Sequence, residues 1–248
     1  VTGDALALIT PTPRRLTDVG NPMADFSSVD FLAITTGTYH SCALTLTEQL
    51  ICWGFAGNGR LADGKTGIEP FDGDSPSYAA PVQGMAPGRE HLCLHTNSDT
   101  IFCFGNNFYL QSRDTPNNRF LVNPSMTASQ SGVDGGIFSG FNPGRIYAGE
   151  RFTIALAEGT NTPIYAWGAN GRYETSPTRN STYALPDAHP KVSPNFRNMV
   201  EPITAGYAHV CGLEKMNDQS LVLSCWGDNS IGQLGSAKSS NLIEPVVG

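Results

Sequence analysis

One motif recurs four times along this 248-residue chain, and a chain that repeats at this period must fold as units that stack on one another. The copies run from Gly37 through His40, Cys42 and Leu44 to Leu50-Ile-Cys-Trp-Gly54, and from Gly88 through His91 and Cys93 to Ile101-Phe-Cys-Phe-Gly105. They continue from Gly149 through Phe152 and Leu156 to Ile164-Tyr-Ala-Trp-Gly168, and from Gly206 through His209 and Cys211 to Leu223-Ser-Cys-Trp-Gly227. The leading glycines lie 51, 61 and 57 residues apart. Each core is followed by a tail that closes on a proline, at Pro81, Pro124, Pro186 and Pro245; the clearest, Gly-rich tail is Ile231-Gly-Gln-Leu-Gly235. Residues 3–16 read as a fifth tail without its core. The chain is therefore expected to form a single repeat domain over 1–248. It has a preceding tail at 1–20, repeats at 32–82, 83–124, 145–186 and 201–248, and insertions at 125–144 and 187–200.

The residue types within each copy call for β-structure. His40, Cys42 and Leu44 alternate with Ser41, Ala43 and Thr45, the two-residue period of a strand. A polar turn at Thr47-Glu-Gln49 leads into a second short strand, which makes a hairpin. With the cysteines in register, Trp53, Phe104, Trp167 and Trp226 fall opposite Ser41, Leu92, Thr153 and Val210. Both hairpin faces are apolar enough to need cover, and sheets stacked face to face around an axis supply it, as in a propeller. The expected fold is all-β: a β-propeller, incomplete or open, with four full repeats and a partial one. The 27 Gly and 17 Pro residues agree with a turn-rich fold and argue against a helical bundle.

The repeat also chooses among the 15 pairings that six cysteines allow. Three cores carry one Cys on each strand, and the third carries Ile154 and Ala166, having lost both together. A bonded pair tends to be lost as a pair. All the separations are even, which keeps both positions on one face of an antiparallel ladder. The expected bonds are Cys42–Cys52, Cys93–Cys103 and Cys211–Cys225; the alternative is six buried thiols. Bonds at this density point to an oxidising, extracellular setting. The sequon at Asn180 adds an expected N-glycan.

The string Gly-x-x-His-x-Cys-x-Leu … Cys-Trp-Gly-x-Asn-x-x-Gly-Gln-Leu-Gly … Pro-x-Val resembles the repeat of the regulator of chromosome condensation family. The fourth copy carries the match through Gly206, His209, Leu213, Trp226, Gly227, Asn229, Gly232, Leu234, Gly235, Pro245 and Val246. The cysteine-bearing form resembles secreted members of that superfamily, the propeller-type β-lactamase inhibitor protein and the crinkly-type receptor ectodomains. That resemblance implies a propeller whose family usually closes seven blades. It also implies a protein-binding role.

Other chemistry finds little purchase. A formal charge of −7 and 15 % charged residues leave no basic footprint for nucleic acid. No apolar run reaches the length of a membrane helix, so no membrane insertion by this chain is expected. Val1 opens without an initiator Met, and the chain is read as processed or as an excerpt. Residues 59–66 match the phosphate-loop pattern letter for letter, but Gly67 to Pro70 will not continue a helix, and the match lies on the repeat's own tail. His40, His91 and His209 share one repeat position that Phe152 fills in the third copy, which reads as packing and not as a metal site. Asp72 and Asp74 near Glu69 lack a regular calcium loop. No cofactor, no metal and no catalytic residue are expected.

Function then falls to the insertions at 62–78, 107–146 and 171–200, because propeller loops carry recognition. Their aromatic and basic residues are of the types that interfaces favour: Phe71, Tyr78, Phe108, Tyr109, Arg113, Arg119, Phe120 and Tyr173, with Arg172 beside the last. The expected function is a non-enzymatic extracellular propeller, a structural or recognition module, as a subunit of a surface or appendage assembly. The partner is a protein or a second copy. The alternatives are a receptor-ectodomain or inhibitor-like protein binder, and then an exchange factor for a small GTPase.

Overall fold

The computed structural model describes residues 29–62, 81–98, 100–112, 120–129, 143–157, 164–175, 183–184 and 199–235. These form four antiparallel sheets and no α-helix, so no described helix is long and apolar enough to cross a membrane. The first sheet holds β1 (Phe31–Thr36), β2 (His40–Thr45) and β3 (Leu50–Gly54). The second holds β4 (Val82–Pro87), β5 (His91–Thr96), β6 (Thr100–Asn106) and β7 (Phe120–Ser129). The third holds β8 (Pro143–Ala148), β9 (Phe152–Ala157), β10 (Ile164–Ala169) and β11 (Tyr183–Ala184). The fourth holds β12 (Met199–Ala205), β13 (His209–Lys215) and β14 (Leu221–Gly227). In each sheet every strand pairs with the next in sequence. Each sheet is one blade, and the four blades form an arc that does not close among the described residues.

The hairpin register is the one the sequence pattern demands. Trp53, Phe104, Trp167 and Trp226 stand opposite Ser41, Leu92, Thr153 and Val210. Cys42–Cys52, Cys93–Cys103 and Cys211–Cys225 are bonded across directly paired positions, and no described cysteine is free. Ile154 and Ala166 pair in the same place in blade 3. A strand ahead of each hairpin (β1, β4, β8 and β12) completes the inner side of the blade, and these first strands contact one another along the arc. The pairing of each with its neighbour is interrupted near its start by a register shift, a bulge that adds twist where the blades converge.

The core lies in the seams between blades. The cysteine face of blade 1 (Cys42, Leu44, Leu50 and Cys52) packs on Leu92, Leu94 and Phe104 of blade 2. Cys93, Ile101 and Cys103 of blade 2 meet Ala155 and Trp167 of blade 3. Ile154, Leu156, Ile164 and Ala166 of blade 3 meet Val210 and Trp226 of blade 4. Each seam thus joins the cysteine-type face of one blade to the aromatic face of the next. The corresponding face of blade 4 is not covered in this way: Leu221 and Leu223 are 56 % and 57 % exposed.

Two strands occupy stretches that the sequence pattern assigns to loop insertions. β7 lies within 107–146 and begins at Phe120, which pairs with Asn106; β11 lies within 171–200. The run Phe-Leu-Val-Asn-Pro carries only the closing proline of the repeat's tail, and a Pro inside it weakens the strand signal. β7 is the outer strand of its blade, where a proline is tolerated.

Candidate functional site

The three Gly-x-x-His turns and the Gly149–Phe152 turn of blade 3 converge on one end of the arc. In each, the glycine N–H donates to the backbone carbonyl three residues on, at 2.8, 2.9, 3.0 and 2.8 Å for Gly37, Gly88, Gly149 and Gly206. A Cβ on Gly88 would sit 2.0 Å from the ring of His91 and 2.9 Å from the carbonyl oxygen of Gly149 on the next blade. Gly37 meets His40 and the Gly88 carbonyl in the same way, and Gly149 meets Phe152 and the Gly206 carbonyl. The repeat needs glycine here because two neighbours occupy the space of a side chain. The shared histidine position is therefore packing against the glycine turn. Among the described residues no group of His, Cys, Asp or Glu converges as a metal site.

The glycine after each aromatic turns the chain back over these turns. Gly54, Gly105, Gly168 and Gly227 have φ of 112°, 99°, 110° and 107°. The next N–H donates to a turn carbonyl: Phe55 to Tyr39, Asn106 to Glu90, Ala169 to Arg151 and Asp228 to Ala208. The tail that follows is organised by an asparagine. Oδ1 of Asn107, Asn170 and Asn229 accepts from the N–H of Ser112, Thr175 and Leu234. The tail is then fastened to the next blade, as the indole N–H of Trp167 donates to Gln111 O at 2.9 Å and that of Trp226 to Glu174 O at 3.2 Å. Turns and tails from four blades thereby form one continuous face.

At its centre is an open mouth of about 520 Å³, lined by the turn at Gly37–Tyr39, by Gly88 and Arg89, by Gly149 and Glu150, and by Gly206 and Tyr207. A chain of charges and rings runs across the seams around it. Arg60 faces Glu90 at 3.7 Å and stacks over Phe55, 4.7 Å from its centroid. Arg89 is paired with Glu150 and lies over the Tyr39 ring. Arg151 lies 3.4 Å from the same Glu150 carboxylate, donates to the Tyr109 hydroxyl at 3.0 Å and stacks over that ring at 4.9 Å. Arg172 is paired with Asp228 and lies 6.0 Å from the Tyr207 centroid. The side-chain hydrogen bond to Glu150 leads the causes that hold Arg89 protonated and raise the Tyr207 hydroxyl's pKa. Burial raises the carboxyl of Glu174. Burial also pushes Asp228 upward, but the N–H and hydroxyl of Ser230, together with Arg172, outweigh it and leave this group below its ordinary value.

Of the residues singled out from the sequence, Phe108 is exposed and stands edge-on to Tyr109, with centroids 5.1 Å apart. Tyr109 belongs to the rim through Arg151. Tyr173 is half-buried in its tail with a φ of 64°. Phe71, Tyr78, Arg113, Arg119 and Asn180 lie outside the described residues. The phosphate-loop match begins in the tail of blade 1, where Arg60 is buried and its Nε donates to Gly57 O at 2.5 Å; Lys65 lies outside the described residues. Tyr39, Arg89, Glu90, Glu150, Arg151 and Tyr207 are not among the insertion residues. They occupy the two positions after each leading glycine, which read Thr-Tyr, Arg-Glu, Glu-Arg and Tyr-Ala in the four copies. These two sites differ from copy to copy while the leading glycine does not, and that contrast was the available signal.

No protein-family model matches the chain. It is 25 % identical over 225 residues to a probable E3 ubiquitin-protein ligase HERC4 of Rattus norvegicus, covering 88 % of this chain and 19 % of that protein. It is 26 % identical over 233 residues to the mitochondrial RCC1 domain-containing protein RUG3 of Arabidopsis thaliana, covering 91 % and 48 %. The chain thus spans less than half the length of either relative. Among solved structures it resembles yeast RCC1 (Prp20) bound to Kap60, with a TM-score of 0.70 and 16 % identity, covering 91 % of this chain and 50 % of that one. It also resembles the crinkly ectodomain of the Arabidopsis thaliana receptor kinase ACR4, with a TM-score of 0.50 and 16 % identity, covering 84 % and 55 %.

Proposed function

The chain carries RCC1-like repeats, and from that premise we propose that it is a non-enzymatic, protein-binding propeller module of the extracellular space. The observation that carries the reading is the central mouth, where paired turns from four blades present Tyr39, Arg89, Glu150 and Tyr207 on a scaffold fixed by inter-blade hydrogen bonds. Aromatic and arginine side chains held rigid at the centre of a concave surface are what protein hot spots require. The solved propellers it resembles include one bound to a protein and one receptor ectodomain, in agreement with a binding role. Three disulfides, one in each of three blades, support an oxidising compartment.

The test is affinity capture with the oxidised chain and with its Y39S/Y207S variant. The reading expects a stoichiometric protein partner held by the first and lost by the second. Capture that ignores the double substitution refutes the mouth as the binding surface. Mass mapping of the cysteines, with a glycosidase shift at Asn180, tests the compartment. Six free thiols would instead favour the small-GTPase exchange role.

The uncovered face of blade 4 favours a second reading, a subunit of a larger assembly. Leu221 and Leu223 occupy the side that every other blade buries against a neighbour. Sedimentation of the wild type against L223D decides: self-association abolished by the charge supports assembly, and a strict monomer refutes it.

A further inference from the structure

We propose that the cleft between Arg151 and Arg172, at the seam of blades 3 and 4, is a carboxylate-binding subsite for an acidic segment of the protein partner. This rests on the binding role proposed above and adds the chemistry of what is bound. The cleft encloses about 260 Å³ beside the central mouth, and Tyr109 and Tyr207 line it with the two arginines.

The charges of this region are layered. The acids of this region face inward and are already occupied. The Glu150 side chain is 7 % exposed and takes Arg89 and Arg151. The Asp228 side chain is 4 % exposed and takes Arg172 together with the N–H and hydroxyl of Ser230. The Glu174 carboxylate accepts from the N–H of Arg172. The guanidinium groups face outward, with side chains 40 % and 49 % exposed. Arg151 spends Nη1 on Tyr109 and turns Nη2 toward Glu150. Arg172 spends Nη1 on Asp228. A guanidinium has five N–H donors and no acceptor, so each keeps donors for a ligand, and that ligand must supply acceptors. Stacking over Tyr109 and Tyr207 holds both planes before a ligand arrives, which lowers the ordering cost of a charge-assisted contact. Glu150 and Glu174 line the cleft as well, and both carboxylates are already engaged.

A carboxylate has two sources in a protein, an Asp or Glu side chain and a chain terminus. The probes are three fluorescein-labelled peptides: Gly-Glu-Phe-Glu-Gly amide, Gly-Gln-Phe-Gln-Gly amide, and Gly-Gln-Phe-Gln-Gly with a free C-terminus. Fluorescence anisotropy is read on the wild type and on the R151Q and R172K variants, each with the wild-type thermal midpoint confirmed. R172K keeps a charge beside Asp228, so it remains informative if R172Q fails to fold. The proposal expects one of the two carboxylate peptides to bind at least about tenfold tighter than the neutral one, and the two sources are told apart by which one does. It expects each variant to cost about tenfold, with affinity falling as salt rises. Equal binding of all three peptides overturns it, as does carboxylate preference that survives in both variants. A partner captured equally by the wild type and by R151Q/R172K would leave the binding role standing and this subsite refuted. No partner with either would refute the binding role.

Discussion

Nε2 of His91 lies 2.9 Å from the hydroxyl of Thr153 across the seam between blades 2 and 3. The same hydroxyl is 3.0 Å from Gln111 O, to which it donates its one proton. It is therefore an acceptor toward the imidazole, and His91 carries its proton on Nε2 with Nδ1 bare. One side chain so joins a strand of blade 2, a strand of blade 3 and the tail that Trp167 also holds. Replacing Thr153 with the isosteric Val leaves the buried Nε2–H without its acceptor. Urea unfolding should show a loss of about 1–3 kcal/mol. A change within error would mean that this bond holds nothing together.

Stability should fall as the solution is acidified. Desolvation, and then Arg60, holds His40 down to about 4; desolvation, and then His40, holds His91 down to about 3. Both are depressed from 6.5, so the unfolded chain takes up protons that the folded chain refuses. Their contribution is complete above 6.5 and is lost as pH falls from there toward 4 and then 3. The combined slope approaches roughly 3 kcal/mol per pH unit, two protons' worth. His40→Phe, which borrows the residue blade 3 carries at Phe152, should halve that slope. Denaturant midpoints between pH 7.5 and 4.5 measure it; an unaltered slope would exclude His40 as a source.

The turn glycines tolerate no side chain. Gly88→Ala drives a methyl into His91 and the Gly149 carbonyl at once, and one of these is backbone that cannot rotate away. The expected cost is about 2–4 kcal/mol by chemical denaturation. Gly171→Ala, with nothing within 4 Å of its Cβ, is the control and should be near neutral.

The hairpin turns can be improved. Glu48 and Gln219 hold φ of 64° and 69° in equivalent turns of blades 1 and 4, where a side chain is strained. Both are exposed and lose little packing. Glu48→Gly and Gln219→Gly should each raise stability by about 0.5–1 kcal/mol in a thermal melt. A drop in midpoint for both would show that the unfolded-state entropy of glycine outweighs the relieved strain.

The bonds within the hairpins are separable. Exchanging Cys211 and Cys225 for Ile and Ala, the pair blade 3 uses, should cost about 2–3 kcal/mol on the chain-entropy account while leaving strand content by circular dichroism unchanged. Loss of the β signal would mean that blade 4 folds only when bonded.

The hairpins, their register and their bonded pairs were legible because each rests on residues within about fifteen positions of one another. The two-residue period at His40–Leu44 sets the face, and the even spacing of Cys42 and Cys52 then sets the partner. The rim was not legible, because it is made between copies: Arg89 finds Glu150 and Arg151 finds Tyr109 only once blades 2 and 3 are stacked. The tails of the second and third copies hid for a different reason. Where the fourth uses Gly232 at a φ of 83°, they place Leu110 and Tyr173 at 60° and 64°, a backbone state that side chain types do not announce. Insertions draw attention because they break the pattern, and Tyr109 and Arg172 from them do line the cleft beside the mouth; the two positions inside the pattern that line the mouth itself carry no such mark.

Since the glycine carbonyls and the indole-to-tail bonds belong to the seams, the two residues after each leading glycine are left with no duty to the fold shared by all four copies. A lineage or a designer can rewrite those pairs blade by blade, changing what the mouth accepts without reopening the joints that hold the blades together. Specificity and architecture are thereby inherited on separate letters of the same short phrase.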